Sequence, residues 1–194
     1  CLIGENESYI CSLIRNDDIS GLKSYLNSPN KFTSQYLDKH ILNNTIVFDY
    51  YGQKSKPIYL TEYSAYFNSP NCFTWFVTNN FKSSPNLIYK AIEGGNMDIF
   101  NIASNNGRID PKKAIRKSIK YHQNDFLKCF MDDPTYHFVS DSPETCIKFY
   151  NLEAFLRTEF SNFNFVFELI DYHNVVLIES FLPFLHSFNI FIMT

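Results

Sequence analysis

The chain has 194 residues, 45% of them apolar, which suits one ordinary domain or one short repeat array and excludes a disordered chain. Its 17 basic residues stand against 20 acidic ones for a net charge of -3, without the basic surplus of a dedicated nucleic-acid binder. The five cysteines, at positions 1, 11, 72, 129 and 146, are widely spaced and form no CxxC or Cys/His cluster, so no disulfide framework, metal site or cofactor is expected.

Internal repetition dominates the sequence and decides the fold. The first copy pairs Leu13-Ile14 with Gly21-Leu22. Residues 27–59 then insert about one further unit's length, read as a helix over roughly 32–42 followed by a loop holding Asn43, Asn44, Gly52 and Pro57. The next copy runs Ser64-Ala65-Tyr66-Phe67-Asn68-Ser69-Pro70-Asn71-Cys72-Phe73. A shift of 27 residues brings it onto Ala91-Ile92-Glu93-Gly94-Gly95-Asn96-Met97-Asp98-Ile99-Phe100. A second shift of 27 brings it onto Ser118-Ile119-Lys120-Tyr121-His122-Gln123-Asn124-Asp125-Phe126-Leu127. Later copies pair Cys146-Ile147 with Ala154-Phe155 and Leu169-Ile170 with Leu177-Ile178, with residues 132–143 as an exposed connector between the fourth and fifth.

Each copy reads as a helix, a tight turn and a second helix. Turn-prone residues, among them Asn68-Ser69-Pro70 and Gly94-Gly95-Asn96, separate the two helices. Asn71, Asp98, Asp125 and Glu153 open the second helices, where negative charge complements the helix dipole. Apolar residues recur three or four apart in those helices: Phe73, Phe76, Val77; Ile99, Ile102, Ala103; Phe126, Cys129, Phe130. One such pair of helices cannot bury its apolar face alone, so the expected fold is all-α, a solenoid of about six stacked units in a single domain over residues 1–194. The tail, Val175 to Met193, is broken by Glu179, Pro183, His186 and Asn189 and reads as a buried repeat helix, not a membrane anchor. Both ends look cut from a longer chain, and the cysteine usage points to a reducing cytoplasm.

The unit resembles an ankyrin repeat, with Ser64-Ala65 and Ala91-Ile92 at its paired small residues and Gly95 to Phe100 at its Gly-His-Leu-Glu-Val-Val run. A closer resemblance is to the helical region that precedes regular ankyrin repeats in a large family expanded in trichomonad parasites. Glu62 to Phe67, Ser118 to Asp125 and Tyr150 to Leu156 carry it, and the similar stretches span about residues 7–183. The 27-residue step falls short of the roughly 33 residues of a regular repeat, and the Thr-Pro-Leu-His start is missing, so β-hairpin fingers are expected to be reduced or absent.

The resemblance implies a non-catalytic scaffold that binds another protein through a concave face. The variable pairs that follow the small pairs would line it: Tyr66, Phe67, Glu93, Lys120, Tyr121, Lys148, Phe149 and Tyr172 are the candidates. The competing reading is that Tyr66, Phe67 and Phe149 are core. A basic run, Lys112, Lys113, Arg116, Lys117 and Lys120, reads first as a solvated helix face. Its functional reading is a contact for phosphate groups or an acidic peptide, and the alternative function for the chain is an adaptor for nucleic acid or anionic lipid, with Lys113, Arg116, Lys117 and Lys120 as anion contacts. Catalysis is not expected: His122 and Cys129 are separated by a turn, and Cys129 takes the repeat slot of Trp75 and Ile102, read as core.

Overall fold

The computed structural model describes residues 9–27, 41–42, 58–105, 108–133 and 142–157. The sixth expected copy, Tyr172 and the apolar tail lie outside them. Ten helices occur among the described residues. They are α1 (Tyr9–Arg15), α2 (Ile19–Leu26), α3 (Leu60–Tyr66), α4 (Pro70–Thr78), α5 (Leu87–Gly94), α6 (Met97–Ser104), α7 (Pro111–Lys120), α8 (Asn124–Asp132), α9 (Ser142–Lys148) and α10 (Leu152–Arg157). The chain is therefore mostly helical, and it divides into two compact units, Cys1–Ile109 with α1 to α6 and Asp110–Thr194 with α7 to α10.

Consecutive helices pair as hairpins, each closed by the same turn. In every one, a backbone N–H bonds the carbonyl five residues back: Asp18 to Leu13, Ser69 to Ser64, Asn96 to Ala91, Gln123 to Ser118 and Asn151 to Cys146. The residue before each of these donors lies in the left-handed region: Asp17, Asn68, Gly95, His122 and Tyr150, with φ between 50° and 76°. This is the Schellman ending of a helix, which uses the last free carbonyls of the first helix. The donor residue then begins the second helix. Asp18, Asn96 and Asn151 each accept a hydrogen bond on the side chain from the N–H three residues on. The 27-residue step is thus a repeat of backbone conformation as well as of residue type.

Glycine and asparagine adopt the left-handed conformation readily, whereas an aromatic residue is strained there by roughly 1–2 kcal/mol. Tyr150 is 55% exposed, so its ring contributes little burial in return. Tyr150→Asn should raise the melting temperature, by about 1 kcal/mol of stability, in a calorimetric comparison with the parent chain.

Hairpins stack on hairpins within each unit. In the first unit α1 packs on α3 and α3 on α5, while α2 packs on α4 and α4 on α6. In the second, α7 packs on α9 and α8 on α10. The small pairs make this approach possible: Ala65, Ala91, Ile92, Ile119 and Ile147 are fully buried, as are Ser64 and Ser118, whose hydroxyls donate to Thr61 and Ala114 carbonyls of their own helices.

The turns are also linked to one another by side chains. Ser69 donates to the Ile14 carbonyl at 2.6 Å, and Asn151 repeats that bond to Ile119, the equivalent residue, at 2.9 Å. The Asp17 carboxylate accepts from the Asn71 and Cys72 amides, and Asn96 donates to Asn68. In the second unit Asn124 donates to Glu153, a bond that, together with Arg157, holds the Glu153 carboxyl below its usual range. The first hairpin docks directly on the second through these bonds, so the insertion between them leaves the stacking step unchanged.

Three expectations are corrected. Ile41–Leu42, placed at the end of a helix, instead forms a short antiparallel ladder with Ile58–Tyr59, because the backbone of the two segments finds a pairing partner within the insertion. The connector ends before Ser142, where α9 begins. The buried stripe of the second helices also differs from the expected set at one of its three positions in each copy. It consists of Cys72, Phe73 and Phe76; Ile99, Phe100 and Ala103; and Phe126, Leu127 and Phe130. At about 100° per residue these triplets span the stripe an outer helix can bury, and the flanking positions fall outside it. Val77, Ile102 and Cys129 are accordingly exposed, and Trp75 is half-buried against Phe76 and Phe81. The loop 79–86 between α4 and α5 carries no strand.

Candidate functional site

The variable pairs sit at the C-terminal ends of the first helices, immediately before the left-handed turn. Fixed by the repeat, the first member of each pair is Arg15, Tyr66, Glu93, Lys120 or Lys148, and the second is Asn16, Phe67, Gly94, Tyr121 or Phe149. Stacking places the cation of one hairpin over the aromatic ring of the next. The Arg15 guanidinium lies 6.0 Å from the Phe67 ring centroid, and Lys120 Nζ lies 5.4 Å from that of Phe149. Each contact contributes on the order of 0.5–1 kcal/mol and holds a long side chain in one place. Arg15 also donates to the Tyr63 hydroxyl at 2.8 Å, while burial raises the Tyr63 pKa and keeps that phenol protonated. Tyr66 and Phe67 meet edge to face at 5.0 Å, with Lys90 Nζ 5.0 Å from the Tyr66 centroid. Tyr63 is fully buried, whereas Tyr66, Phe67 and Phe149 are half-buried.

Glu93 departs from the pattern. It is 5% exposed, with its carboxylate 2.6 Å from Lys90 Nζ. The cause is its neighbour Gly94, which lies so close to the Ala65 and Tyr66 carbonyls that the end of α5 is drawn into α3. Glu93 is a packed residue of the stack and does not present its charge on the face.

The second unit gathers more charge than the sequence suggested. Lys112, Lys113, Arg116, Lys117 and Lys120 from α7 are joined by Lys148 from α9, and the six line an open cleft of about 630 Å³ with Thr145 and Phe149. Asp110 is the one acidic lining residue among the described residues, and its carboxylate accepts from the Lys112 and Lys113 amides as the cap of α7. Lys117 and Lys120 lie 5.4 and 5.6 Å from the Tyr121 ring, and Lys148 lies 5.9 Å from Phe149. The basic run and part of the partner-face set are therefore one site. Lys148 was named for that face alone, and only the packing of α9 on α7 brings it to the basic run.

Residues 79–158 match the family described as a domain of unknown function (DUF3447). The match takes in helices α5 to α10, and with them the basic cleft and Phe149. No curated protein and no solved structure matches the chain.

No group of three or more His, Cys, Asp or Glu side chains that could hold a metal ion occurs among the described residues. Nor is any helix there long and apolar enough to cross a membrane. His122 Nε2 is 2.9 Å from the Phe149 carbonyl oxygen, so this ring links two turns. The cysteines differ sharply in environment. Burial, reinforced by the nearby Asp17 carboxylate, pushes the Cys72 thiol up to about 12, and burial alone does the same for Cys146. Cys11 is also buried, whereas Cys129 is exposed. Among these four, Cys129 should react with a thiol reagent in the native protein, and the other three only on unfolding. Mass mapping of the labelled sites checks this. Rapid labelling of Cys72 or Cys146 in the native state would contradict the packing.

Proposed function

We propose that the chain is a non-catalytic protein-binding module, an ankyrin-like solenoid of about six helical hairpins that works in the cytoplasm. It would engage another protein through the face built from its first helices. The observation that carries this reading is the recurrence of a cation over an aromatic ring at one repeat position, Arg15 over Phe67 and Lys120 over Phe149. Rigid rings and long cations held in place are the side chains that most often dominate binding energy at protein interfaces. The ankyrin likeness is supported by the 27-residue step of small pair, left-handed turn and helix start. The loop 79–86 has no strand, consistent with a unit whose fingers are reduced.

A second reading, an adaptor for nucleic acid or anionic lipid through Lys112–Lys120, is favoured by the six cations around one cleft. Ionic strength separates the two. Phosphate contacts weaken steeply as counterions compete, and an interface anchored by aromatic residues changes little. The immobilised chain should therefore retain a discrete protein from a lysate through a high-salt wash, identified by mass spectrometry. Nucleic acid or lipid bound at low salt and released at high salt would favour the second reading.

A further inference from the structure

We infer that the cleft between α7 and α9 binds an acidic peptide segment, its Asp or Glu carboxylates facing Lys112, Lys113, Arg116, Lys117, Lys120 and Lys148. This rests on the protein-binding reading and narrows it to one surface and one kind of partner. Charge supplies the first argument. The chain as a whole is acidic, at -3, yet six of its 17 basic residues converge on a single cleft. Among the described residues this local excess of cations is opposite in sign to the net charge, which favours an anionic occupant.

Shape and chemistry select the class of anion. The cleft is open, about 630 Å³, with room for a few side chains laid along it. A duplex presents phosphates over several turns, while α7, at ten residues, is only about 15 Å long. Five of the six cations are lysines, point charges suited to single carboxylates. Phosphorylated peptides are characteristically held by bidentate arginines, and Arg116 is the one arginine in the set.

The rings beside the cations add specificity. Phe149, in the cleft lining, and Tyr121, next to it on the turn after α7, lie within 6 Å of the ammonium groups of Lys117, Lys120 and Lys148, so those chains are already placed before a ligand arrives. The Phe149 ring also offers apolar surface to the methylene groups or apolar neighbours of an acidic run. Preplacement of this kind reduces the ordering that binding would otherwise require.

The test uses the full chain and fluorescence anisotropy. The probes are a labelled oligo-glutamate peptide, its oligo-glutamine counterpart, single-stranded oligothymidylate and phosphatidylserine vesicles. Oligo-glutamate should bind and oligo-glutamine should not. Arg116→Glu with Lys148→Glu, both exposed and on different helices, should weaken binding by about tenfold or more. Lys128→Glu, exposed on α8 and outside the cleft, should leave it unchanged, and all variants should melt with the parent. Absence of oligo-glutamate binding, equal loss with Lys128→Glu, or tighter binding of oligothymidylate or vesicles would overturn the assignment. A lysate partner held equally by the parent and by the Arg116→Glu, Lys148→Glu variant would remove the acidic cleft while leaving the protein-binding reading in place.

Discussion

Ile119→Asp is expected to abolish the cooperative melting transition. Ile119 is fully buried in α7, and its carbonyl accepts from the Asn151 side chain at 2.9 Å. An aspartate there must carry an unpaired charge into the stack or bind a proton to avoid it. Either way the loss is on the order of 4 kcal/mol or more. Domains of this size have only about 5–15 kcal/mol to lose. Ile92→Asp should do the same in the first unit, where Ile92 is equally buried. Lys117→Ala removes a half-buried side chain at the cleft and should change stability by less than about 0.5–1 kcal/mol. Circular dichroism during heating reads all three. An Ile119→Asp chain that melted with the parent would show that the copies are misaligned.

Gly94→Ala reverses the sign that helix propensity assigns to it. Within a helix, alanine in place of glycine normally stabilises by about 1 kcal/mol. Here a Cβ would collide with the Ala65 carbonyl oxygen and stand 2.9 Å from that of Tyr66. Both obstacles are backbone atoms of α3, so neither can swing aside as a side-chain end could. Moving α5 away from α3 loosens the packing around Tyr63, Ala65, Ala91 and Ile92, all buried. The expected net loss is about 2–3 kcal/mol, the range of overpacked cores. Denaturant titration with an unchanged slope and a lower midpoint would agree. A midpoint at or above that of the parent would mean that α3 and α5 do not approach so closely.

These two residues show what was readable in the sequence. The small pair and the turn were legible because each performs a local task that few residue types can do. Asn68 and Gly95 are suited to the left-handed turn, and their 27-residue spacing located the rest. Tyr150 occupies the same conformation against its preference, and only its place in the repeat could have indicated it. The flank of the second helix was not legible, because Val77 and Ile102 are as apolar as the residues beside them. Which apolar positions are buried depends on where the neighbouring hairpin sits.

The site divides along the same line. Phe67 and Phe149 were named from their repeat position, and the structure adds the cations placed over them. Glu93 was named by the same rule, and it is buried because Gly94 beside it allows a close approach that depends on the backbone of another helix. Lys148 lies far from the basic run in sequence, so its part in the cleft depends on α9 packing against α7. Likewise Ile41–Leu42 gave no strand signal of its own, since its partner lies at the far end of the insertion.

The central claim, that the first-helix face is the binding surface, is tested most directly by quantitative capture with paired variants. Tyr66→Ala with Phe67→Ala removes the half-buried rings of that face, and Thr74→Ala alters an exposed residue of α4 as a control. Melting temperatures establish that each variant is folded. The account predicts that the protein retained by the parent at high salt is also retained by Thr74→Ala, and is reduced at least about tenfold on the double variant. Equal retention by all three chains would contradict it.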